Sequence, residues 1–558
     1  MQNFPWIKSY PQGVRWDDAL NLTSVQTLLD NAVQQWPDQP AIDFMGKKLS
    51  YRELSALVDR AAAGFQALGV KPGVHVGLYL PNTPHYVISF FGILKAGGTV
   101  VNYSPLDAEK VLEHKVDDSE TDILVTLSLA SLYPNMKGLL GKTRLQHLVV
   151  GTLGEFSAMP AAVDAKMAAD GQSVAVAFDA QQHSFEQLLA NDGQHQVWPV
   201  ADVTKTLAVL QYTGGTTGVS KGAVLLHRNL VANVIQSEAW YQPALKKVPA
   251  GEQIVTICAL PLYHIFGFNS NMMLGMRMGG CNILIPNPRD MPAVLKELSK
   301  HKFHSFPAVN TLFNGLANHP DFGSVNWSNL KVSVGGGMAV QSAVAKLWLE
   351  KTGCPICEGY GLSETSPIAS CNPVTATEFT GSIGVPLSST YFKLLDDEGQ
   401  TVTALGQPGE IAIKGPQVMA GYWQRPDETA KVMTEDGYFK TGDIGTMDER
   451  GFFKIVDRKK DMVLVSGFNV YPNEIEEVVA QCPGVMECAA VGVADSKTGE
   501  AVKLVIVKKS PDLTEDEVRA FCKIHLTGYK QPKTIEFRTE LPKTPVGKIL
   551  RRELRDKK

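Results

Sequence analysis

The stretch "QYTGGTTGVSKGA", residues 211–223, sets Gly214, Gly215 and Gly218 among the hydroxyls of Thr213, Thr216, Thr217 and Ser220, and closes on one cation, Lys221. It follows an apolar run, residues 207–210. Glycines let backbone N–H groups converge on an anion, hydroxyls donate to it, and the lysine adds charge, so the chemistry indicated is the holding of a phosphate. A Walker-type loop ends in Gly-Lys followed by Ser or Thr. Here Lys221 stands between Ser220 and Gly222, and the register fails.

Five further stretches narrow the choice. They are "PLYHIFGF" (261–268), "VGGGMAV" (334–340), "EGYGLSET" (358–365), "YFKTGDIG" (438–445) and "PKTPVGKILRREL" (542–554). In this order, with the opening loop, they resemble the adenylate-forming superfamily of acyl-CoA synthetases, beetle luciferases and peptide-synthetase adenylation domains. The resemblance runs from "YRELS" to "RREL", nearly the whole chain. The segment "DGYFKTGDIGTMDERGFFKIVDRKKDMVLVSGFNVYPNEIEEVV" is most similar to bacterial long-chain fatty acid–CoA ligases.

That resemblance implies a two-step reaction. A carboxylate attacks the α-phosphate of ATP, releases pyrophosphate and becomes an acyl-AMP; the thiol of coenzyme A then displaces AMP. The first step brings an anion to a polyanion, so positioning and charge neutralisation dominate. By resemblance, residues 213–221 hold the β- and γ-phosphates, Glu364 binds Mg²⁺, and Thr365 touches the α-phosphate. Glu358, Gly359, Tyr360 and Gly361 form the adenine side, with Tyr360 stacking on the base and the Gly335-Gly336-Gly337 turn opposite. Asp443 accepts from the ribose hydroxyls and Arg458 is a second ribose contact. Lys548 is the catalytic lysine, bridging the carboxylate and the α-phosphate. His264, Phe266 and Phe268 border the acyl pocket, Ser466 and Gly467 line the coenzyme A tunnel, and Lys460 is the hinge about which a small domain swings between steps.

Those residues need a scaffold, and the patterning supplies one. "YRELSALVDRAAAGFQALG" has helical periodicity, "VHVGLYLP" reads as a buried strand and "TPHYVISFFGILKAG" as another helix. Strand–helix alternation of this kind predicts parallel sheets covered by helices. From about residue 380 short β-like runs separated by glycine and proline turns predict a β-rich subdomain. The fold class expected is therefore α/β and α+β: a large domain over 1–456 with its β-rich part at about 380–456, a hinge at 457–461, and a mobile α+β domain over 462–558 carrying Lys548.

Composition excludes other classes. The 558 residues are 44% hydrophobic and 20% charged with a formal net charge of -4, which gives no nucleic-acid surface. Eight cysteines in so long a chain make no disulfide framework, and Cys354 and Cys357 read as two residues of a buried strand. No secretory signal opens the chain and no segment reaches the ~20 apolar residues of a membrane span. A cytoplasmic protein is expected, with peripheral membrane contact because long-chain acids partition into bilayers; similar enzymes include homodimers. Two rival readings share the motifs: a ligase for medium-chain, dicarboxylic or aromatic acids, and a stand-alone adenylation enzyme loading a carrier protein. The chain's end shortly after Lys548 argues against a fused carrier domain. A non-catalytic nucleotide sensor would be expected to lack Lys548 or Glu364, and both are present.

Overall fold

The computed structural model describes residues 4–213, 220–466, 468–544 and 549–555, without the side chain of residue 469. Two sheets share the larger part of the chain. One has seven strands, in the order Gln182–Ser184, His147–Gly151, Thr121–Leu127, His75–Leu78, Thr99–Asn102, Leu207–Tyr212 and Gly222–Leu226. The first six run parallel and the last is antiparallel. The other has nine strands with a parallel centre, Ile356–Gly361, Val332–Gly335, Ser305–Ala308, Val255–Cys258, Cys281–Leu284 and Pro40–Phe44, and antiparallel pairs at both edges.

Local sequence sets the helices. The helix Tyr51–Ala67 begins at a capping box in which Ser50 and Glu53 satisfy each other's backbone N–H. The apolar helix Pro84–Lys95 is buried along nearly its whole length. Its all-round hydrophobicity therefore marks a core helix between layers. No described helix is long and apolar enough to cross a membrane. All eight cysteines are free and buried, Cys354 and Cys357 among them.

Four antiparallel strands, Tyr391–Leu395, Gly409–Lys414, Phe439–Met447 and Phe453–Arg458, form a small sheet over the stretch expected to be β-rich. Its last strand carries Asp457 and Arg458, two residues beyond the boundary drawn from the sequence. The next strand, Val463–Val465, belongs to a different, five-stranded sheet with Phe468–Val470, Gly499–Lys508, Val485–Asp495 and Thr534–Arg538. The helices Pro472–Val479 and Glu515–His525 accompany that sheet, and this terminal unit has hydrophobic clusters of its own.

Candidate active site

The glycine-rich loop joins antiparallel strands at the edge of the seven-stranded sheet, so it is a hairpin loop with no helix following it directly. Its mouth is pinned: Thr213 N–H donates to the Lys221 carbonyl at 2.9 Å, and Ser220 Oγ to the Thr213 carbonyl at 2.6 Å. Gly214, Gly215, Thr216, Thr217 and Gly218 lie outside the described residues.

Lys221 pairs with Glu428 at 2.5 Å and sits 4.8 Å from the centre of the Tyr422 ring. Tyr422 donates its hydroxyl to Glu364 Oε1 at 2.8 Å. The loop's cation and the acid of "GLSET" thus meet across one tyrosine. The hydrogen bond from Lys221 holds the Glu428 carboxyl down at about 2. Glu364 is buried, and desolvation raises its pKa against the opposing bond from Tyr422. Neither Tyr422 nor Glu428 was found by motif. Both lie in "GYWQRPDE", where nothing in the spacing announces chemistry.

Thr365 departs from its expected place. It is fully buried, and its hydroxyl accepts from the Leu362 N–H at 2.9 Å and donates to the Pro367 carbonyl, so it is spent inside its own turn. Ser363, half-buried, is the hydroxyl of this turn that remains at the surface. Gly361 belongs to the same turn, where a Cβ would lie 1.8 Å from the Pro367 carbonyl oxygen. Only glycine allows that approach.

The Tyr360 hydroxyl donates to Asp443 Oδ2 at 2.6 Å, and Arg458 Nε pairs with Asp443 Oδ1 at 3.2 Å. Asp443 and Arg458 face each other across adjacent strands of the small sheet. Three residues from distant motifs are so brought to one point. Gly359 lies beside them on the Tyr360 strand. Glu358 does something different from its strand neighbours. Its side chain is buried beneath the glycine turn, where Oε1 accepts the Val340 N–H at 3.1 Å, and burial pushes its carboxyl up to about 8. Its bond to Val340 holds the segment that leaves the Gly335–Gly337 turn.

That turn meets the acyl-pocket candidates. A Cβ on Gly336 would stand 3.1 Å from Phe266 Cε1 and 3.2 Å from the Gly359 carbonyl oxygen. Phe266 is thereby placed against the turn. His264 caps the short helix Ile265–Gly267 by accepting the Phe266 N–H at 3.3 Å. Phe268 is fully buried with its ring centre 5.6 Å from that of Phe90. It packs in the core against Phe90. A hydrogen-bonded chain of Tyr86, Asn102, Gln211 and the Tyr263 carbonyl ties this segment to the strand that enters the phosphate loop.

The terminal unit contributes less. Lys548 and Gly467 lie outside the described residues. Ser466 is exposed with φ +50°, and its N–H donates to the Thr498 carbonyl at 2.8 Å. Lys460 lies in the exposed turn between the two sheets.

Residues 29–423 match the AMP-binding enzyme family, and residues 474–548 match the AMP-binding enzyme C-terminal domain. The chain belongs to the AMP-binding enzyme family. Among the similar members is the long-chain-fatty-acid–CoA ligase of Escherichia coli O6:H1 (strain CFT073), 47% identical over 99% of this chain and 98% of that one. The corresponding ligase of Bacillus subtilis (strain 168) is 37% identical over 99% and 97%. The feruloyl-CoA synthase of Amycolatopsis sp is 32% identical over 93% and 96%. A crystal structure of an anthranilate CoA ligase in complex with anthranoyl-AMP superposes with a TM-score of 0.83 at 25% identity, covering 96% of each chain. ATP-bound MatB from Rhodopseudomonas palustris gives 0.79 at 27% identity, covering 95% of this chain and 98% of that one. For this AMP-binding enzyme the parallel sheets, the small β-sheet and the separate terminal unit are the family's architecture.

Proposed function

We propose that this AMP-binding enzyme ligates a long-chain fatty acid to coenzyme A through an acyl-adenylate, releasing AMP and pyrophosphate. The observation that carries the reading is the meeting of Tyr360, Asp443 and Arg458 at one point and of Lys221, Tyr422 and Glu364 at another. The near full-length similarity to long-chain-fatty-acid–CoA ligases supports the choice of acid.

The reading assigns a role to each residue. Asp443 and Arg458 present an acceptor and a donor suited to a ribose, and Tyr360 presents a flat ring beside them. Lys221 and the loop it closes neutralise the outer phosphates. Glu364, a desolvated carboxylate beside that loop, is the hard-oxygen donor suited to Mg²⁺. When bound, Mg²⁺ neutralises phosphate charge as pyrophosphate leaves. Ser363 replaces Thr365 as the hydroxyl offered to the α-phosphate. The fatty carboxylate is assigned to the part of the pocket bordered by Gly336 and Phe266, which touch each other. It is already ionised at neutral pH, so His264 shapes the pocket and no general base is required. Lys548 offsets the repulsion between carboxylate and α-phosphate. The lining of the coenzyme A tunnel is assigned to Ser466 and Gly467, with Lys460 as pivot.

The test is a product assay with ATP, Mg²⁺ and coenzyme A across saturated acids from butyrate to stearate, with dicarboxylates and aryl acids alongside. Maximal acyl-CoA formation among the long chains is expected. A maximum among dicarboxylates or aryl acids replaces the substrate and keeps the ATP residues. Pyrophosphate release without acyl-CoA points to a carrier-protein acceptor.

A further inference from the structure

Arg551 follows Lys548 by three residues in the sequence, yet its side chain is occupied at the junction of the two units. Its Nε and Nη2 grip Glu476 of the helix Pro472–Val479 at 3.1 and 2.8 Å, and Nη2 also donates to Asn473 Oδ1. Its Nη1 lies 3.6 Å from Asp457 Oδ1 and 3.6 Å from Asp461 Oδ2. Arg555 adds a second pair to Asp461 at 2.9 Å. The two aspartates stand on opposite sides of Lys460. Asp457 ends the small sheet of the large unit, whereas Asp461 begins the terminal unit.

Asp457 is fully buried, and its partners are unevenly distributed. One oxygen accepts the neighbouring Arg458 N–H at 2.7 Å. The other accepts the Asn473 N–H at 2.9 Å, at the opening of the Pro472–Val479 helix, where a negative charge is favoured. A residue of the large unit therefore caps a helix of the small one and faces its arginine. Rotation about Lys460 moves Asn473 and Arg551 relative to Asp457. These contacts belong to the arrangement seen here, as does the Ser342–Glu477 hydrogen bond between the units. In this arrangement the hairpin that carries Ser466 faces solvent, with Leu464 48% and Phe468 56% exposed.

We propose that Asp457 and Arg551 form a contact across the hinge that holds the terminal unit in the arrangement used for adenylation, and that the swing towards thioester formation breaks it. Arg551 is a positioning residue: it touches the hinge and acts through Lys548. The proposal rests on the two-step reading above and on Lys460 as its pivot.

The test measures the half-reactions separately on the intact enzyme: pyrophosphate release from ATP and palmitate without coenzyme A, and acyl-CoA formation from supplied palmitoyl-AMP. Asp457→Asn and Arg551→Lys are expected to slow the first by about tenfold and to leave the second within about twofold. Arg551→Lys keeps the charge beside Glu476 and loses the planar fork, so it serves where Asp457→Asn fails to fold. Equal losses in both half-reactions, or no change in either, overturn the proposal. Lys548→Ala is the control. If it does not separate the half-reactions, the two-step reading fails; if it does and the hinge variants do not, only the hinge contact fails.

Discussion

Tyr422 joins the two halves of the proposed phosphate site, since it touches Lys221 through its ring and Glu364 through its hydroxyl. Tyr422→Phe leaves a buried carboxylate without its donor. A hydrogen bond to a charged group contributes about 1.5–3 kcal/mol, so adenylation is expected to fall by about ten- to a hundredfold. The half-saturating Mg²⁺ concentration should rise with it, as titration of pyrophosphate release would show. Ser363 and Thr365 separate in the same way. Ser363→Ala is expected to lower kcat at an unchanged Tm. Thr365→Val strips the turn of its internal bonds and is expected to lower stability by about 1–2 kcal/mol, read from denaturant unfolding. Glu358 supplies a pH dependence. Its folded pKa of about 8 exceeds the ordinary 4.5, so the folded chain retains a proton there that the unfolded chain releases. Its contribution to stability is present at low pH and declines as pH rises from about 4.5 to about 8. Glu358→Gln should flatten that part of the Tm-against-pH curve; parallel curves for the two proteins would contradict the assignment.

At the scale of elements, the glycine turns decide how closely strands and loops approach one another. Gly336 ends a strand against Phe266, and Gly361 passes under the Pro367 carbonyl. Gly361→Ala has no room, and overpacking of this kind is expected to destabilise by about 3 kcal/mol. Gly336→Ala meets its neighbours at 3.1–3.2 Å, which a small shift of Phe266 relieves. The expected result is a raised KM for the fatty acid with the KM for ATP unchanged, measured by steady-state kinetics. The phosphate loop illustrates the same dependence on its frame. Because it is a hairpin loop closed by the Thr213 and Ser220 bonds, its anchoring comes from the sheet edge.

For the whole molecule, the separate hydrophobic clusters on either side of the 459–462 turn predict that heat unfolds the chain in two steps. The residues assigned to ATP, apart from Lys548, lie in the larger unit or on its last strand. ATP with Mg²⁺ at about a hundred times its Kd should therefore stabilise the larger unit by about 2.7 kcal/mol and leave the smaller one nearly unmoved. Differential scanning calorimetry with and without nucleotide would show one transition shifting and the other fixed.

The sequence by itself indicated a bound phosphate, and its six motifs carried the resemblance that implied the rest of the chemistry. Glycines, hydroxyls and a lysine in one loop, and an acid after "GLS", are local patterns whose types follow from what phosphates require. The alternation of strands and helices was equally legible, because its periodicity is set by burial along each element. What only the tertiary structure decided is which side chains share a point. The pairing of Tyr360 with Asp443 and the bridging position of Tyr422 join residues tens or hundreds apart in the chain, and Asp457 caps a helix of the other unit from 16 residues away. Thr365 and Glu358 show the same limit from the other side. The resemblance placed them at the site, but the direction of a side chain depends on the backbone turn beneath it, and that turn is fixed by packing against elements no short motif contains.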